Sequence, residues 1–260
     1  LPEFREQKDV SGVHYAVTIR HLMTHTAGIV NDPPTRGRGV WAIGGALEDA
    51  WLTADLPEIV RAVAQSPLLF KPGSQVKYSS AAMFVLGRLM EVISGKPYAQ
   101  FVKERILDPL GMKDSYYAPP ATEAGRVSAI FAEVQGKRQA IFRFNPELTI
   151  TNAGPDGGLF SYPAELVKFL QMFLDNDGKV LSQAAVRAML EEQAPGWGLG
   201  WALDDGCFHH GGSSGTEAFA DLKTGTIGIL FFQFRDRKGR TLQLASDFRR
   251  QVRAAFDSTA

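Results

Sequence analysis

The sequence contains a single cysteine, Cys207, among its 260 residues. An intramolecular disulfide is therefore excluded, and cysteine usage does not indicate a redox compartment. An excess of charge is also lacking, because 28 basic and 28 acidic residues cancel. Such a balance does not favour nucleic acid or an anionic membrane surface as a partner. No apolar run approaches the roughly 20 residues that cross a bilayer, so the sequence has no transmembrane segment and its composition is that of a globular protein.

A signal peptide and an initiating methionine are absent as well, since the sequence begins at Leu1. We therefore expect it to start partway through a longer protein. In that case the missing signal peptide says little about where the protein is located. The sequence also gives no indication of oligomeric state.

Helical patterns dominate before residue 195 and strand patterns after it. Helices are predicted at residues 18–28, 55–65, 97–110, 186–191 and 242–256. Two further helices are predicted, one from Ser79 or Ser80 to Gly95 and one that Ser161 caps. Strands are predicted at 197–203, 207–210, 217–222 and 226–234, with a small hairpin or irregular excursion at 126–151 and a surface loop at 31–45. This order predicts an α+β fold in which helices pack on an antiparallel sheet. We expect one domain over residues 1–260, with a helical lobe at about 12–194 and a sheet lobe with its terminal helix at about 195–260.

One stretch combines a turn, two hydroxyl-bearing side chains and the start of a helix. Pro72 and Gly73 predict a turn, and residues 75–78 predict a short extended piece. The helix that follows places the Tyr78 hydroxyl and a serine hydroxyl at a helix N-terminus, where negative charge is favoured. We therefore expect this stretch to handle an anion or an oxyanion.

The stretch around Tyr78 resembles the Tyr-x-Asn element of penicillin-recognising serine hydrolases. The similar branch holds class C β-lactamases, D-aminopeptidases and family VIII carboxylesterases. Segments 18–28, 106–115, 157–161 and 210–216 resemble further elements of this branch in the same order, so the resemblance covers nearly the whole chain. It implies a β-lactamase/transpeptidase-like fold, a small-molecule or peptide substrate, and no metal or organic cofactor. It also favours a place in the cell envelope, the periplasm or outside the cell.

The resemblance implies acyl transfer by a serine on a Ser-x-x-Lys helix, with a tyrosine and the lysine moving the proton. Carried over, Tyr78 is the base or proton shuttle, and His210 stands where esterase-like members often replace a lysine by histidine. Gly211 and Gly212 would let a substrate approach the strand closely. The backbone N–H of Ser213 would then be one donor of an oxyanion hole.

Ser80 departs from the family, which usually carries asparagine at this position. A hydroxyl can bind a substrate amide or a lysine, but it lacks the separate donor and acceptor of an amide. We therefore expect Ser80 to bind substrate, and esterase or peptidase activity rather than efficient β-lactam hydrolysis. Two other interpretations stay open, in which Ser80 is only an N-cap and His210 is only a structural histidine near a turn.

Two matches to family motifs stand in the wrong context. Ser-x-x-Lys occurs at residues 74–77, directly before Tyr78 in an extended piece and not on a buried helix. We therefore expect that Ser74 is not the nucleophile and that the nucleophilic serine lies upstream of Leu1, outside this chain. Lys-Thr-Gly occurs at residues 223–225 between two apolar strands, where a hairpin turn is expected.

Two functions other than a serine hydrolase remain. A non-catalytic relative would use the same cleft to bind a peptide or peptidoglycan ligand, and the lack of a Ser-x-x-Lys helix in the parent gene would favour it. A zinc hydrolase would use His21 and His25, which share a helical face. No glutamate lies between these histidines and no third ligand follows nearby, so structural or capping roles are expected for both.

Overall fold

The computed structural model describes residues 1–31, 34–35, 38–39, 55–147, 154–236 and 239–257. Within them the helices are α1 Ile19–Met23, α2 Leu56–Gln65, α3 Ser80–Ser94, α4 Tyr98–Val102, α5 Pro163–Asp175, α6 Gln183–Leu190 and α7 Arg240–Asp257. The strands are β1 Pro34–Thr35, β2 Arg38–Gly39, β3 Ile130–Val134, β4 Lys137–Phe142, β5 Ala202–Asp204, β6 Cys207–Gly212, β7 Thr216–Asp221, β8 Ile227–Phe231 and β9 Phe234–Arg235. Helices combined with antiparallel strands confirm the predicted α+β class.

The main sheet is antiparallel and has the strand order β5-β6-β7-β8. Its face bearing Phe208 and Ala220 packs against α5 and α6 in one apolar core. The opposite face packs against α7, where Phe219 contacts Phe248. Because side chains alternate along a strand, β6 directs His209 towards α7, and Arg249 of that helix donates to His209 Nδ1 at 2.8 Å.

A second core joins α1, α2 and α3. The buried side of α2 carries four apolar residues at helical spacing: Leu56, Ile59, Val60 and Val63. They pack with Leu68 and with Phe84 of α3, and each fully buried side chain of this kind contributes roughly 1.5–3 kcal/mol. This core supports the N-terminus of α3. Helix α3 ends as predicted, with Gly95 in the left-handed conformation at φ 68°.

The predicted excursion at residues 126–151 contains the hairpin β3–β4, and its residues 148–153 lie outside the described part of the chain. Strand β9 pairs in parallel with β3, through Phe131 opposite Phe234. A hairpin from the first part of the chain is therefore joined to the strand that follows the main sheet. Of the predicted surface loop at 31–45, residues 32–33, 36–37 and 40–45 lie outside the described residues.

The prediction of a helix over residues 18–28 is wrong beyond Met23. His25 has a φ of 55°, which a continuing right-handed helix does not allow. The backbone instead runs alongside the segment before Tyr78. Gly28 O accepts from Leu69 N–H at 2.7 Å, and Thr26 O accepts from Gly73 N–H at 2.8 Å.

Three smaller predictions also need correction. Ser161 does not cap α5, because its hydroxyl bonds with that of Ser115 at 2.8 Å and Tyr162 occupies the N-cap position. The strand predicted at 197–203 is reduced to β5, since Trp197 makes only isolated bridges. The helix predicted at 97–110 is α4 followed by the π-helical turn Lys103–Leu107.

No described helix is long and apolar enough to span a bilayer.

Candidate functional site

Tyr78 stands two residues before the first residue of α3 and is 41% exposed. Ser79 is the N-cap, and its hydroxyl accepts from Ala82 N–H at 3.2 Å. Ser80 is the first helical residue, and its N–H donates to Asn31 Oδ1 at 2.7 Å. The Ser80 hydroxyl is within hydrogen-bonding reach of the Tyr78 side chain and lowers its pKa. Because Ser79 is the N-cap, the interpretation of Ser80 as only an N-cap is wrong.

Tyr78 belongs to a cluster of four aromatic rings that come from distant parts of the sequence. The ring of His25 lies 4.4 Å from that of Tyr78, measured between centroids. Trp197 lies 6.1 Å from Tyr78 and 4.4 Å from His25. His210 lies 6.0 Å from both Tyr78 and Trp197. The structure thus brings the two predicted catalytic side chains into one site.

Burial lowers the pKa of His210 and favours its neutral form, whereas a hydrogen bond to the Gly211 carbonyl and the charge of Glu217 oppose this shift. The Gly211 carbonyl can only accept, so His210 Nδ1 donates to it at 2.8 Å. In the neutral ring the other nitrogen, Nε2, is then an acceptor. His210 therefore presents a neutral hydrogen-bond acceptor beside Tyr78.

The end of β6 carries the predicted substrate-binding residues Gly211 and Gly212. A Cβ at Gly211 would lie 2.9 Å from Glu217 Oε2, and one at Gly212 would overlap the Thr216 hydroxyl. A side chain at either position would therefore force a side chain of strand β7 to move, a reason for glycine that the sequence did not reveal. Ser213 follows directly, and its hydroxyl accepts from Arg235 Nη2 at 3.2 Å.

Asp156 is a partly buried carboxyl group near the site that sequence reasoning missed. Its Oδ1 has no hydrogen-bond partner among the described residues, and burial raises its pKa to about 7. The turn that carries it is held by Pro155, which packs closely against Gly87 of α3. The charge of Asp156 also raises the pKa of Tyr78.

The pKa of Tyr78 is raised above its ordinary value. Burial is the largest cause, the charge of Asp156 adds to it, and the Ser80 hydroxyl opposes it. None of these influences is a cation, as far as the described residues extend. Tyr78 is therefore protonated at neutral pH in this arrangement.

Ser74 and Lys223 lie in structural settings, as expected from the sequence. The Ser74 hydroxyl donates to the Lys71 carbonyl at 2.7 Å. Lys223 pairs with Asp205 at 2.8 Å, and its N–H donates to Asp221 Oδ1 at 2.8 Å in the turn between β7 and β8. The Lys-Thr-Gly sequence is thus a hairpin turn.

His21 caps helix α1. Its Nδ1 accepts from Thr18 N–H at 3.3 Å, while its own N–H donates to the Thr18 hydroxyl at 3.2 Å. The described residues contain no group of three side chains that could hold a metal ion. His21 therefore has the capping role that the sequence predicted.

His25 and Trp197 are site residues that sequence reasoning did not assign to the site. His25 was expected only to be structural, and Trp197 was placed in a strand. A tryptophan or a histidine in a loop does not by itself indicate a functional site. The proximity of both residues to Tyr78 depends on the tertiary fold. For Asp156, the signal available was a charged residue directly before Gly157-Gly158.

Residues 7–248 match the Beta-lactamase family. The chain belongs to this family. Esterase EstB of Burkholderia gladioli is 30% identical over 276 aligned positions, which cover 88% of this chain and 68% of EstB. Penicillin-binding protein 4 of Amycolatopsis lactamdurans is 29% identical, over 81% of this chain and 57% of that protein.

The fold is also that of solved members of this superfamily. The structure of EstCE1, described as a hydrolase with promiscuous acyltransferase activity, superimposes with a TM-score of 0.71 at 19% identity, over 90% of this chain and 71% of EstCE1. This likeness confirms the predicted β-lactamase/transpeptidase-like fold. The chain spans less than two thirds of penicillin-binding protein 4 and 68% of EstB.

Proposed function

We propose that this chain is part of a serine hydrolase that cleaves an ester or an amide through an acyl-serine intermediate. One observation carries the proposal: the Tyr78 and Ser80 hydroxyls lie together at the N-terminus of α3, beside the neutral His210 of a glycine-rich strand end. A tyrosine and a histidine from two elements thereby lie in one cluster of rings. Acyl transfer needs proton movement and oxyanion binding in one place.

In the proposed acylation step, a serine hydroxyl attacks the substrate carbonyl and gives its proton to ionised Tyr78. The tetrahedral intermediate then collapses, and Tyr78 returns the proton to the departing alcohol or amine. In deacylation, water attacks the acyl-serine and gives a proton to Tyr78. Tyr78 then passes this proton to the serine oxygen as the ester bond breaks, and the acid is released. The Ser213 N–H is the proposed oxyanion donor, and His210 Nε2 is the proposed acceptor of a hydrogen bond beside Tyr78.

The nucleophile in this proposal lies outside residues 1–260. Ser74 is unsuited, because its hydroxyl is bonded to Lys71 O and it is on the same short segment as Tyr78. Tyr78 must also be ionised to accept a proton, although burial and Asp156 raise its pKa. A cation beside its hydroxyl would reverse this effect, and a lysine of a Ser-x-x-Lys helix would supply one.

An ester or a simple amide is the proposed substrate, in preference to a β-lactam. Ser80 offers a shorter and less versatile hydrogen-bonding group than the usual asparagine, and His210 offers no positive charge. Loss of a fixed cation weakens binding of the carboxylate that β-lactams carry. The name of the relative EstB, an esterase, agrees with this choice.

The test uses the protein expressed from the whole reading frame that encodes this chain. Hydrolysis of p-nitrophenyl butyrate, D-alanine p-nitroanilide and nitrocefin is measured in parallel. We expect turnover of the ester or the anilide, with kcat/KM for nitrocefin at least about tenfold lower. A folded protein that binds a D-alanyl peptide but hydrolyses none of the three would contradict the proposal and favour the non-catalytic alternative.

A further inference from the structure

His25 holds the backbone on both sides of Tyr78. Its carbonyl accepts from Lys77 N–H at 2.8 Å, and its ring atom Nδ1 accepts from Ser79 N–H at 3.3 Å. Lys77 and Ser79 are the immediate neighbours of Tyr78 in the chain. One residue thus binds the backbone N–H groups of both neighbours of the tyrosine.

The ring of His25 also supports the ring of Tyr78. The two ring centroids are 4.4 Å apart at an interplanar angle of 39°. Trp197 meets His25 from another direction, with its ring at 78° to the imidazole and 4.4 Å away. His25 is only 2% exposed, so the imidazole is enclosed and cannot turn away without disturbing these contacts.

The backbone of His25 has a positive φ of 55°. This region is uncommon for a residue other than glycine and tends to persist where the surrounding structure enforces it. Here the left-handed turn directs the carbonyl to Lys77 and the ring to Ser79 and Tyr78. The conformation is therefore linked to the contacts that His25 makes with the Tyr78 segment.

We infer that His25 is a positioning residue, which holds the backbone and the ring of Tyr78 so that its hydroxyl faces the reacting serine and substrate. The inference rests on the proposed function, because it assigns Tyr78 the proton transfer. His25 itself touches neither substrate nor reacting atoms in this account. It acts through an acceptor nitrogen and an aromatic face, which must be present together.

Two substitutions separate these two properties. Asparagine in His25→Asn tolerates a positive φ and can present Oδ1 to Ser79 N–H, but it removes the ring. Phenylalanine in His25→Phe keeps an aromatic face against Tyr78, but it removes the acceptor. His14→Asn is the matched control, because His14 is exposed and lies outside the ring cluster.

We expect each His25 variant to lower kcat for ester hydrolysis by about 10- to 100-fold, the size of loss that follows small displacements of a catalytic group. KM should change less than about threefold, and His14→Asn should match wild type. Unchanged kcat in folded His25→Asn and His25→Phe would overturn the inference. If Tyr78→Phe is also as active as wild type, the proposed function itself has failed.

Two measurements test His25 without relying on turnover. The tyrosinate absorbance of each His25 variant is titrated with and without the additional substitution Tyr78→Phe. The difference between the two titrations gives the pKa of Tyr78. The pKa of Tyr78 in His25→Asn should differ from that in wild type, because the ring that packs against Tyr78 is gone. In the wild-type protein, ¹⁵N shifts should show His25 with its proton on Nε2. A proton on Nδ1, or an unchanged pKa of Tyr78, would overturn the inference.

Discussion

The rings of Tyr78 and His210 lie with their centroids 6.0 Å apart, although one residue precedes α3 and the other lies on the central strand β6. Trp197 lies close to both and extends the contact between the helical part and the sheet. The candidate site therefore exists only when both parts of the chain are assembled. This arrangement leads to five predictions that can be measured.

Replacing Tyr78 by phenylalanine removes the hydroxyl and keeps the ring against His25. We expect kcat for ester hydrolysis to fall by about 10²–10⁴-fold, which is the usual contribution of a general acid or base. The thermal midpoint should change little, because the Tyr78 side chain is 41% exposed. Tyr162→Phe is the control and should keep wild-type kcat. A Tyr78→Phe enzyme within threefold of wild type would exclude Tyr78 as the proton shuttle.

Adding a methyl group at Gly87 should disturb the turn that carries Asp156. The new Cβ of Gly87→Ala would overlap Pro155, so the turn or the helix must move. Overpacking of this kind costs about 1–3 kcal/mol of unfolding free energy. At Gly125 a Cβ meets nothing within 4 Å, which makes Gly125→Ala the control. Urea unfolding tests the difference, and equal stability of both variants would contradict the packing described.

Asp156 should make stability depend on pH. Its pKa is raised from 3.8 to about 7 by burial, so the folded protein holds a proton that the unfolded chain lacks between these values. Stability due to this group is therefore lost as pH rises through that window. Asp156→Asn stays neutral and should gain ~4 kcal/mol over wild type at pH 8, and little at pH 4.

The control for Asp156→Asn is Asp108→Asn, since Asp108 is exposed and pairs with Lys103. The urea midpoints of wild type, Asp156→Asn and Asp108→Asn, measured at pH 4 and pH 8, test this prediction. A gain for Asp156→Asn of the same size at both pH values would mean that Asp156 is not a buried carboxyl in the folded protein.

The fold class could be predicted because the sequence signals were local. Ser79 before an apolar run and Gly95 after it mark α3, and both act as caps. The site could be predicted only in part. Tyr78 and His210 were found through the motifs around them, whereas the local signal for Asp156, an acidic residue directly before Gly157-Gly158, does not by itself indicate a role. Its role depends on burial beside Tyr78, which arises from tertiary packing.

The errors have the same physical origin. Residues 24–28 have a helical pattern, but His25 turns the chain and the backbone bonds instead to the segment before Tyr78. Ser161 resembles an N-cap, but Ser115 takes its hydroxyl. In both cases a long-range hydrogen bond overrides a local preference, and no reading of neighbouring residues reveals it.

Acid should destabilise the protein through His25. Burial is the main reason that its pKa is lowered from 6.5 to about 4, so the unfolded chain binds a proton that the folded protein excludes. The stability that neutral His25 contributes to the folded protein is fully present above about pH 6.5 and is lost as the pH falls to about 4. We expect ~3 kcal/mol of pH-dependent stability in this range. His25→Phe should lack it, while His14→Asn should keep it.

Unfolding in urea at half-unit steps from pH 4 to pH 7 measures this dependence. His210 also titrates with a lowered pKa, and it is present in every variant, but its charge interaction with His25 is lost in His25→Phe. A wild-type profile parallel to that of His25→Phe would show that His25 is not held in its neutral form.

The central claim is an acyl-serine reaction in which Tyr78 moves the proton. It is tested most directly by intact-mass spectrometry of the protein from the whole reading frame, after treatment with a fluorophosphonate. We predict one adduct per wild-type molecule, on a serine outside residues 1–260, and labelling at least about a hundredfold slower in Tyr78→Phe. An adduct on Ser74, or equal labelling rates in the two proteins, would contradict the account.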